Sequence, residues 1–217
     1  MAASQITAPT SGRESKFWDR IAESYARKPV ADERAYQNKL RITRDYFRPE
    51  MNIFEFGCGT GSTALAHAPF VKHILATDIS ARMIAIAREK AETAGIANVE
   101  FRQTAIDRFT APDHSYDGVL AMSILHLVDD KDAVIERVHQ LLKPDGVFVS
   151  STACLSDGMG YFRPIAWLGR MFGLLPLVRF FKADDLVASL ERRGFRIEHR
   201  WQPGKRKGVF IVARKID

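Results

Sequence analysis

The sequence predicts a doubly wound α/β domain, a Rossmann-like arrangement with a mostly parallel sheet of seven strands between two helical layers. Three observations carry this expectation. Short apolar runs alternate with helical patterns from Met51 onward. The first run ends in the glycine-rich turn Gly57-Cys58-Gly59-Thr60-Gly61, and the second ends in an acid, Asp78. The last two strand-like runs, FRIEHRWQ and GVFIVARK, are joined by a short turn, so at least one strand runs antiparallel.

The elements follow in order. Residues 1–15 are small and polar, lack the apolar centre of a signal peptide, and read as a disordered lead. Phe17, Trp18, Ile21, Ala22 and Tyr25 recur at helical spacing. Pro29 interrupts that pattern, and a second helix is expected from about Asp32 to Phe47, before Pro49. MNIFEF reads as the first strand and Thr60 to His67 as a helix. HILATD is the second strand, and Ser80 caps a helix that Gly95 stops. NVEFRQ and YDGVLAM are strands three and four. A helix over Asp130 to Leu142 closes at the turn KPDG, and VFVSST is strand five. Ala183 to Arg193 is helical, Gly194 ends it, and the closing hairpin completes the sheet. The expected organisation is one domain over 16–217, with a helical cap at 16–48 and a lid-like insertion at 153–182.

Composition narrows the class. Hydrophobic residues make up 46% of the 217, enough for a real core, yet no run approaches the ~20 apolar residues of a membrane span. The two cysteines, Cys58 and Cys154, lack framework or zinc-site spacing, which points to a reducing, cytoplasmic setting and to no metal. The formal net charge of +6 suits an anionic partner but equally a solubilising surface.

The glycine turn carries the chemistry. Glycines between a strand and a helix let a ligand approach the backbone and aim amide N–H groups at it. An acid about twenty residues on, at the end of the next strand, can accept both hydroxyls of a ribose. The ligand is therefore expected to carry a nucleoside. Ser62 stands where the dinucleotide fingerprint wants its third glycine, and the lysine of a phosphate-binding loop is missing. Glu55 sits badly beside a pyrophosphate but well beside a cationic amino group.

FEFGCGTGSTALA followed by ATDIS resembles the first motif and its acidic partner in class I S-adenosylmethionine-dependent methyltransferases. FWDRIAESYARKP, SYDGVLAMSILHLVDD and LLKPDGVFVSS extend the resemblance from about Phe17 onward, towards the small-molecule, quinone-biosynthesis type. The resemblance implies the strand order 3-2-1-4-5-7-6 with strand seven antiparallel. It also implies S-adenosylmethionine as cofactor. Glu55 and the loop Gly57, Cys58, Gly59 and Gly61 would meet its methionine part, and Asp78 its ribose. Ile79 and Met83 would flank adenine, Ala105 and Ile106 would offer backbone to it, and Tyr25 and Met122 would line the site. The family's usual acid after strand three is replaced by Gln103 or Thr104, with Asp107 a displaced substitute. Met83 and Tyr25 have ordinary packing roles as alternatives.

Methyl transfer from a sulfonium needs alignment and a dry cavity, and a base only when the nucleophile arrives protonated. His126 in the loop after strand four is the candidate base or substrate contact, with a structural role as the alternative, and Ser123 is a weaker candidate. The segment 161–181, aromatic and aliphatic with Arg163, Arg170 and Arg179, reads either as a lid or as a membrane-surface element. Either favours a small, apolar acceptor, whose carboxylate or phosphate those arginines could meet. The basic turn Lys205 to Lys207 is too short to argue for nucleic acid. The function expected is methylation of a small acceptor at O, N or C. A lipid or quinone methyltransferase at a membrane surface, or a non-catalytic S-adenosylmethionine-binding module, is the alternative. Glu55 and Ser62 disfavour an oxidoreductase.

Overall fold

The computed structural model describes residues 11–204 and 207–216. Two helices come first, α1 (Ser11–Arg27) and α2 (Glu33–Arg44). The alternating part follows as β1 (Asn52–Phe56), α3 (Ser62–His67), β2 (His73–Asp78), α4 (Ala81–Thr93), β3 (Val99–Gln103), β4 (Tyr116–Met122), α5 (Lys131–Leu141) and β5 (Leu142–Thr152). After α6 (Arg163–Met171) and α7 (Ala183–Arg192), the hairpin β6 (Phe195–Trp201) and β7 (Val209–Lys215) closes the chain.

The seven strands form one sheet in the order β3-β2-β1-β4-β5-β7-β6. β1 to β5 are parallel, and β7 runs antiparallel to both β5 and β6. This is the expected fold and strand order. The reversal of strand order between β1 and β4 leaves a crevice at the carboxyl ends of the strands, where open α/β sheets hold their ligands.

Helix starts follow their capping chemistry. The Asp32 carboxylate accepts the Ala35 amide at 3.0 Å, and the Ser80 hydroxyl accepts the Met83 amide at 3.1 Å. Asp130 accepts the amides of Asp132 and Ala133 to start α5. The central strands bury both faces. One face packs Phe54, Val119 and Phe148 against Ile135, Val138, Leu186 and Leu190 of α5 and α7. The other packs Ile53, Ile74 and Leu120 against Ala64, Ile84 and Ala87 of α3 and α4.

Three expectations shift. α1 begins at Ser11, inside the stretch read as a lead, because its N-terminal turn is held by the insertion before α7 rather than by its own sequence. α2 stops at Arg44, three residues short of Phe47, where the chain turns towards Pro49. KPDG falls inside β5 as a bulge and does not separate it from α5: Tyr116 pairs with Leu142, and Gly118 next pairs with Val147. Residues 1–10, and Lys205 and Arg206 of the basic turn, lie outside the described residues.

Candidate functional site

The turn after β1 is shaped by glycine. Gly57, Gly59 and Gly61 all have positive φ, at +65°, +53° and +76°. A Cβ on Gly61 would stand 2.8 Å from the Phe101 ring, and one on Gly57 would stand 2.5 Å from Ile124. A Cβ on Gly59 would meet only Tyr25 Cε1, at 3.9 Å. Gly57 and Gly61 are thus fixed by packing as well as by φ, whereas Gly59 faces open space. The turn is tied to β2 twice: the Cys58 amide donates to the Thr77 carbonyl, and the Gly59 amide donates to the Asp78 carboxylate, both at 2.9 Å.

Asp78 also accepts the Ser80 amide at 2.9 Å. Burial raises its carboxyl above the usual carboxylate range, while the amides of Ser80, Gly59 and Ile79 pull it back. Glu55, within β1, is almost fully buried and its Oε2 finds no partner. Burial, with the Asp78 charge adding to it, pushes the Glu55 carboxyl up to about 8. Cys58 is buried beside both acids, and burial raises its thiol well above its ordinary value, which opposes a nucleophilic role.

A cavity of about 530 Å³ opens from this turn along the carboxyl ends of the strands. Of the residues singled out from sequence, Tyr25, Gly57, Gly59, Asp78, Ile79, Met83, Thr104, Ala105, Ile106, Asp107 and Met122 line it. Glu55, Cys58 and Gly61 do not; they lie in the β1 end and the turn behind the wall. His126 is not among the lining residues either, although Ser123, Ile124 and Leu127 of its loop are. Its carbonyl accepts the Arg179 amide at 2.8 Å, its Nδ1 is buried without a partner, and burial lowers its pKa to about 4. Ser123 holds φ +61°, with its amide on the Ser151 carbonyl at 2.7 Å.

Sequence reasoning missed the roof. Glu14 and Trp18 of α1 and Leu177 of the insertion line the cavity from above. Glu14 Oε2 accepts the Leu177 amide at 2.9 Å. Arg13 reaches the carbonyls of Arg170 and Met171, and Arg20 reaches that of Gly173 at 2.9 Å. Asp19 accepts the Ser80 hydroxyl at 2.6 Å and the Arg82 amide at 3.1 Å, which seats α1 over the start of α4. The available signal was the helical stripe of Tyr25: Trp18 and Glu14 lie seven and eleven residues before it, on the same face. The arginines expected to meet an anion are engaged within the roof. Arg170 lies 3.4 Å from Glu14, Arg179 pairs with Asp129, and Arg163 reaches the Phe180 carbonyl at 3.2 Å.

A sheet of this order, with a glycine turn and an acid at the ends of its first two strands, defines a Rossmann-like nucleoside-cofactor protein. A family model described as a methyltransferase domain matches residues 53–146. The ubiquinone biosynthesis O-methyltransferase of Roseobacter denitrificans is 32% identical over 175 residues, 76% of this chain and 67% of that one. A crystal structure of an S-adenosylmethionine-dependent methyltransferase from Mesorhizobium loti superposes with TM-score 0.69 at 23% identity, covering 85% of this chain and 99% of that one. The [4+2]-cyclase SpnF superposes with TM-score 0.79 at 20% identity, covering 96% and 97%. The chain belongs to the class I S-adenosylmethionine-dependent methyltransferases, as the resemblance implied, and S-adenosylmethionine is the cofactor of that family. It spans about half the length of several curated relatives it matches.

The residues fit that cofactor. The open space over Gly59 admits a ligand against bare backbone, Asp78 lines the cavity, and the orphaned Oε2 of Glu55 leaves a buried acceptor beside the turn. No group of three or more metal-ligating side chains occurs among the described residues.

Proposed function

We propose that the protein transfers a methyl group from S-adenosylmethionine to a small acceptor with an apolar body. The observation that carries this reading is one continuous cavity. It runs from the glycine turn and Asp78 to an apolar wall of Trp18, Ile124, Leu127 and Leu177 beneath α1 and the insertion. The methyltransferase relatives support the reaction class. The fold alone does not, since SpnF shares it and is named a cyclase.

In this reading Asp78 accepts the ribose hydroxyls while holding the Gly59 amide in place. Ile79 and Met83 flank the adenine, and the backbone of Ala105 and Ile106 faces its edge. Glu55 and the turn of Gly57, Cys58, Gly59 and Gly61 form the end that takes the amino acid part, and Tyr25 closes over Gly59. When bound, S-adenosylmethionine supplies a methyl group on a sulfonium that is already a good leaving group. The chain's work is alignment and the exclusion of water, which α1, Leu177 and the β4 loop perform together. The test is to incubate the protein with S-adenosylmethionine and a panel of phenols, quinones and amines, and to follow S-adenosylhomocysteine by mass spectrometry. Acceptor-dependent product supports the reading. Tight cofactor binding without product across the panel favours a non-catalytic binding module.

One observation favours a second reading, in which the acceptor is reached at a lipid surface. Among the described residues α6 buries none of its side chains, and Tyr161, Ile165, Trp167, Phe172 and Leu174 stand more than half exposed beside Arg170 and Arg13. No helix among the described residues is long and apolar enough to cross a membrane, so such contact would be peripheral. Co-sedimentation with anionic and zwitterionic vesicles tests it. Binding to anionic vesicles that Trp167→Ser with Phe172→Ser abolishes supports it, and no binding removes it.

A further inference from the structure

Ser123, just past the carboxyl end of β4, holds a left-handed backbone at φ +61°. That region is costly for a residue with a Cβ, and asparagine and aspartate tolerate it best. Elsewhere the chain meets positive φ with glycine, at Gly57, Gly59, Gly61, Gly95, Gly173 and Gly194. The two other exceptions have reasons of their own. His114 Nδ1 lies 2.9 Å from the Leu142 carbonyl, and Asp145 is of the tolerated type and sits in the bulge of β5. Ser123 has neither. Its amide is fixed on the Ser151 carbonyl at 2.7 Å, but no group among the described residues bonds its hydroxyl. A serine here is strained where glycine would not be, and nothing within the protein offsets that strain.

The strand register puts this residue beside the glycine turn. Glu55 pairs with Leu120, so Gly57 and Met122 stand level two residues on, and Ser123 comes next. The chain then folds back, and Ile124 lies so close that a Cβ on Gly57 would stand 2.5 Å from it. Ser123 is exposed and lines the cavity between the turn and the apolar wall of Trp18, Ile124, Leu127 and Leu177. The charged side chains on that side are committed. Glu14 is tied to Leu177 and Arg170, Asp129 pairs with Arg179, and Asp130 caps α5. Arg137 is engaged by Asp113, Gln140 and the Ala111 carbonyl. Thr104 and Asp107 line the far side, after β3.

We infer that Ser123 is a specificity-determining residue whose hydroxyl holds the nucleophilic group of the acceptor, an uncharged hydroxyl or amine on an apolar body. This rests on the methyltransferase reading and names its substrate class. A serine hydroxyl both donates and accepts, so it meets an O–H or N–H group without needing an ion. A carboxylate or ammonium would enter the same apolar wall without a free counter-charge, because Arg170 is paired with Glu14 and Arg179 with Asp129.

The experiment is an NMR shift titration of the protein saturated with S-adenosylhomocysteine. The probes share one ring: 4-methylphenol, toluene, 4-methylbenzoate and 4-methylbenzylamine, the last protonated at neutral pH. Wild type is expected to bind 4-methylphenol at least about fivefold tighter than each of the others, the scale of one neutral hydrogen bond. Ser123→Ala is expected to bring 4-methylphenol within about twofold of toluene. It should leave S-adenosylhomocysteine affinity within about twofold and the thermal midpoint unchanged, since the hydroxyl holds nothing in the protein. Ser123→Gly is expected to lose the same preference and to raise the midpoint, since glycine adopts this φ freely. Equal binding of the four probes, no probe binding to the loaded protein, tighter binding of the benzoate or the benzylamine, or a preference that survives Ser123→Ala overturns the inference. A midpoint that falls in Ser123→Ala, or fails to rise in Ser123→Gly, gives the side chain a structural role and also overturns it. Failure of wild type to bind S-adenosylhomocysteine would instead sink the reading on which the inference rests.

Discussion

The Gly59 amide donates to the Asp78 carboxylate across 2.9 Å, linking the turn after β1 to the end of β2. One side chain thereby fixes the loop and faces the cavity, so its loss is felt twice. Asp78→Ala is expected to weaken S-adenosylhomocysteine binding by about 1–3 kcal/mol, the scale for hydrogen bonds to a charged group. Calorimetry measures it, and unchanged affinity would remove Asp78 from the site.

If Glu55 meets the amino group of the cofactor, as proposed, ligand binding should depend on pH. The folded-state pKa of Glu55 is raised to about 8, so the free protein keeps a proton there that the unfolded chain releases near 4.5. The folded state binds the extra proton, and stability falls as pH rises from about 4.5 to about 8. Glu55→Gln should flatten that slope in thermal melts of the ligand-free protein. A cationic amino group arriving beside Glu55 favours its ionised form. Binding of S-adenosylhomocysteine near pH 7 should therefore release up to about one proton, read as a dependence of the calorimetric heat on buffer ionisation enthalpy. Heat that is independent of the buffer would contradict this.

The acid limb of stability should be shared by two buried histidines, His126 and His67, of which His67 is the one remote from the cavity. Both its ring nitrogens are buried without partners, its ring meets Phe47 edge-on at 5.1 Å, and burial lowers its pKa to about 3. The unfolded chain takes up the proton near 6.5, so stability drains away as pH falls below that value. His67→Phe is expected to be more stable than wild type at pH 4.5, relative to their difference at pH 7, by about 2–3 kcal/mol. Urea denaturation at the two pH values checks it.

His126, neutral across the physiological range and outside the cavity wall, is expected to be structural. His126→Gln should lower turnover less than about threefold, whereas loss of a general base costs about 10²–10⁴-fold. A loss on the larger scale, with an altered pH–rate profile, would restore it as the base.

The three turn glycines should separate. Gly61→Ala drives a methyl to 2.8 Å from Phe101 at a left-handed φ, and it should cost the fold about 1–3 kcal/mol in denaturation. Gly59→Ala meets nothing nearer than 3.9 Å and should cost less stability, while weakening S-adenosylhomocysteine binding through the space it fills. Equal effects on stability would mean that φ alone governs the turn.

What could be read in advance was what is local. The strand-turn-helix of Gly57 to Gly61 and the acid at Asp78 are neighbours through one sheet register, Phe56 to Thr77, so spacing alone places them together. The lining residues foreseen lie on α1, at or just after the ends of β1, β2, β3 and β4, or, for Met83, in the first turn of α4. Glu14 was hidden because its partners, Arg170 and Leu177, are more than 150 residues away, and nothing nearby marks a polar N-terminal stretch as a roof. His126 drew attention as a titrating group, and its burial, which no single sequence displays, favours the structural alternative.

The place of β7 has a consequence for how the chain is made. It is the last strand in order, yet it lies between β5 and β6. A nascent chain that has emerged as far as Trp201 holds five strands with β5 as an added open edge opposite β3, and a sixth with nothing to pair with. Until residues 209–215 leave the ribosome, that edge is free to take up strands from other nascent chains. β7, made after the other six strands described, is thus the one that both closes the edge at β5 and brings β6 into the sheet.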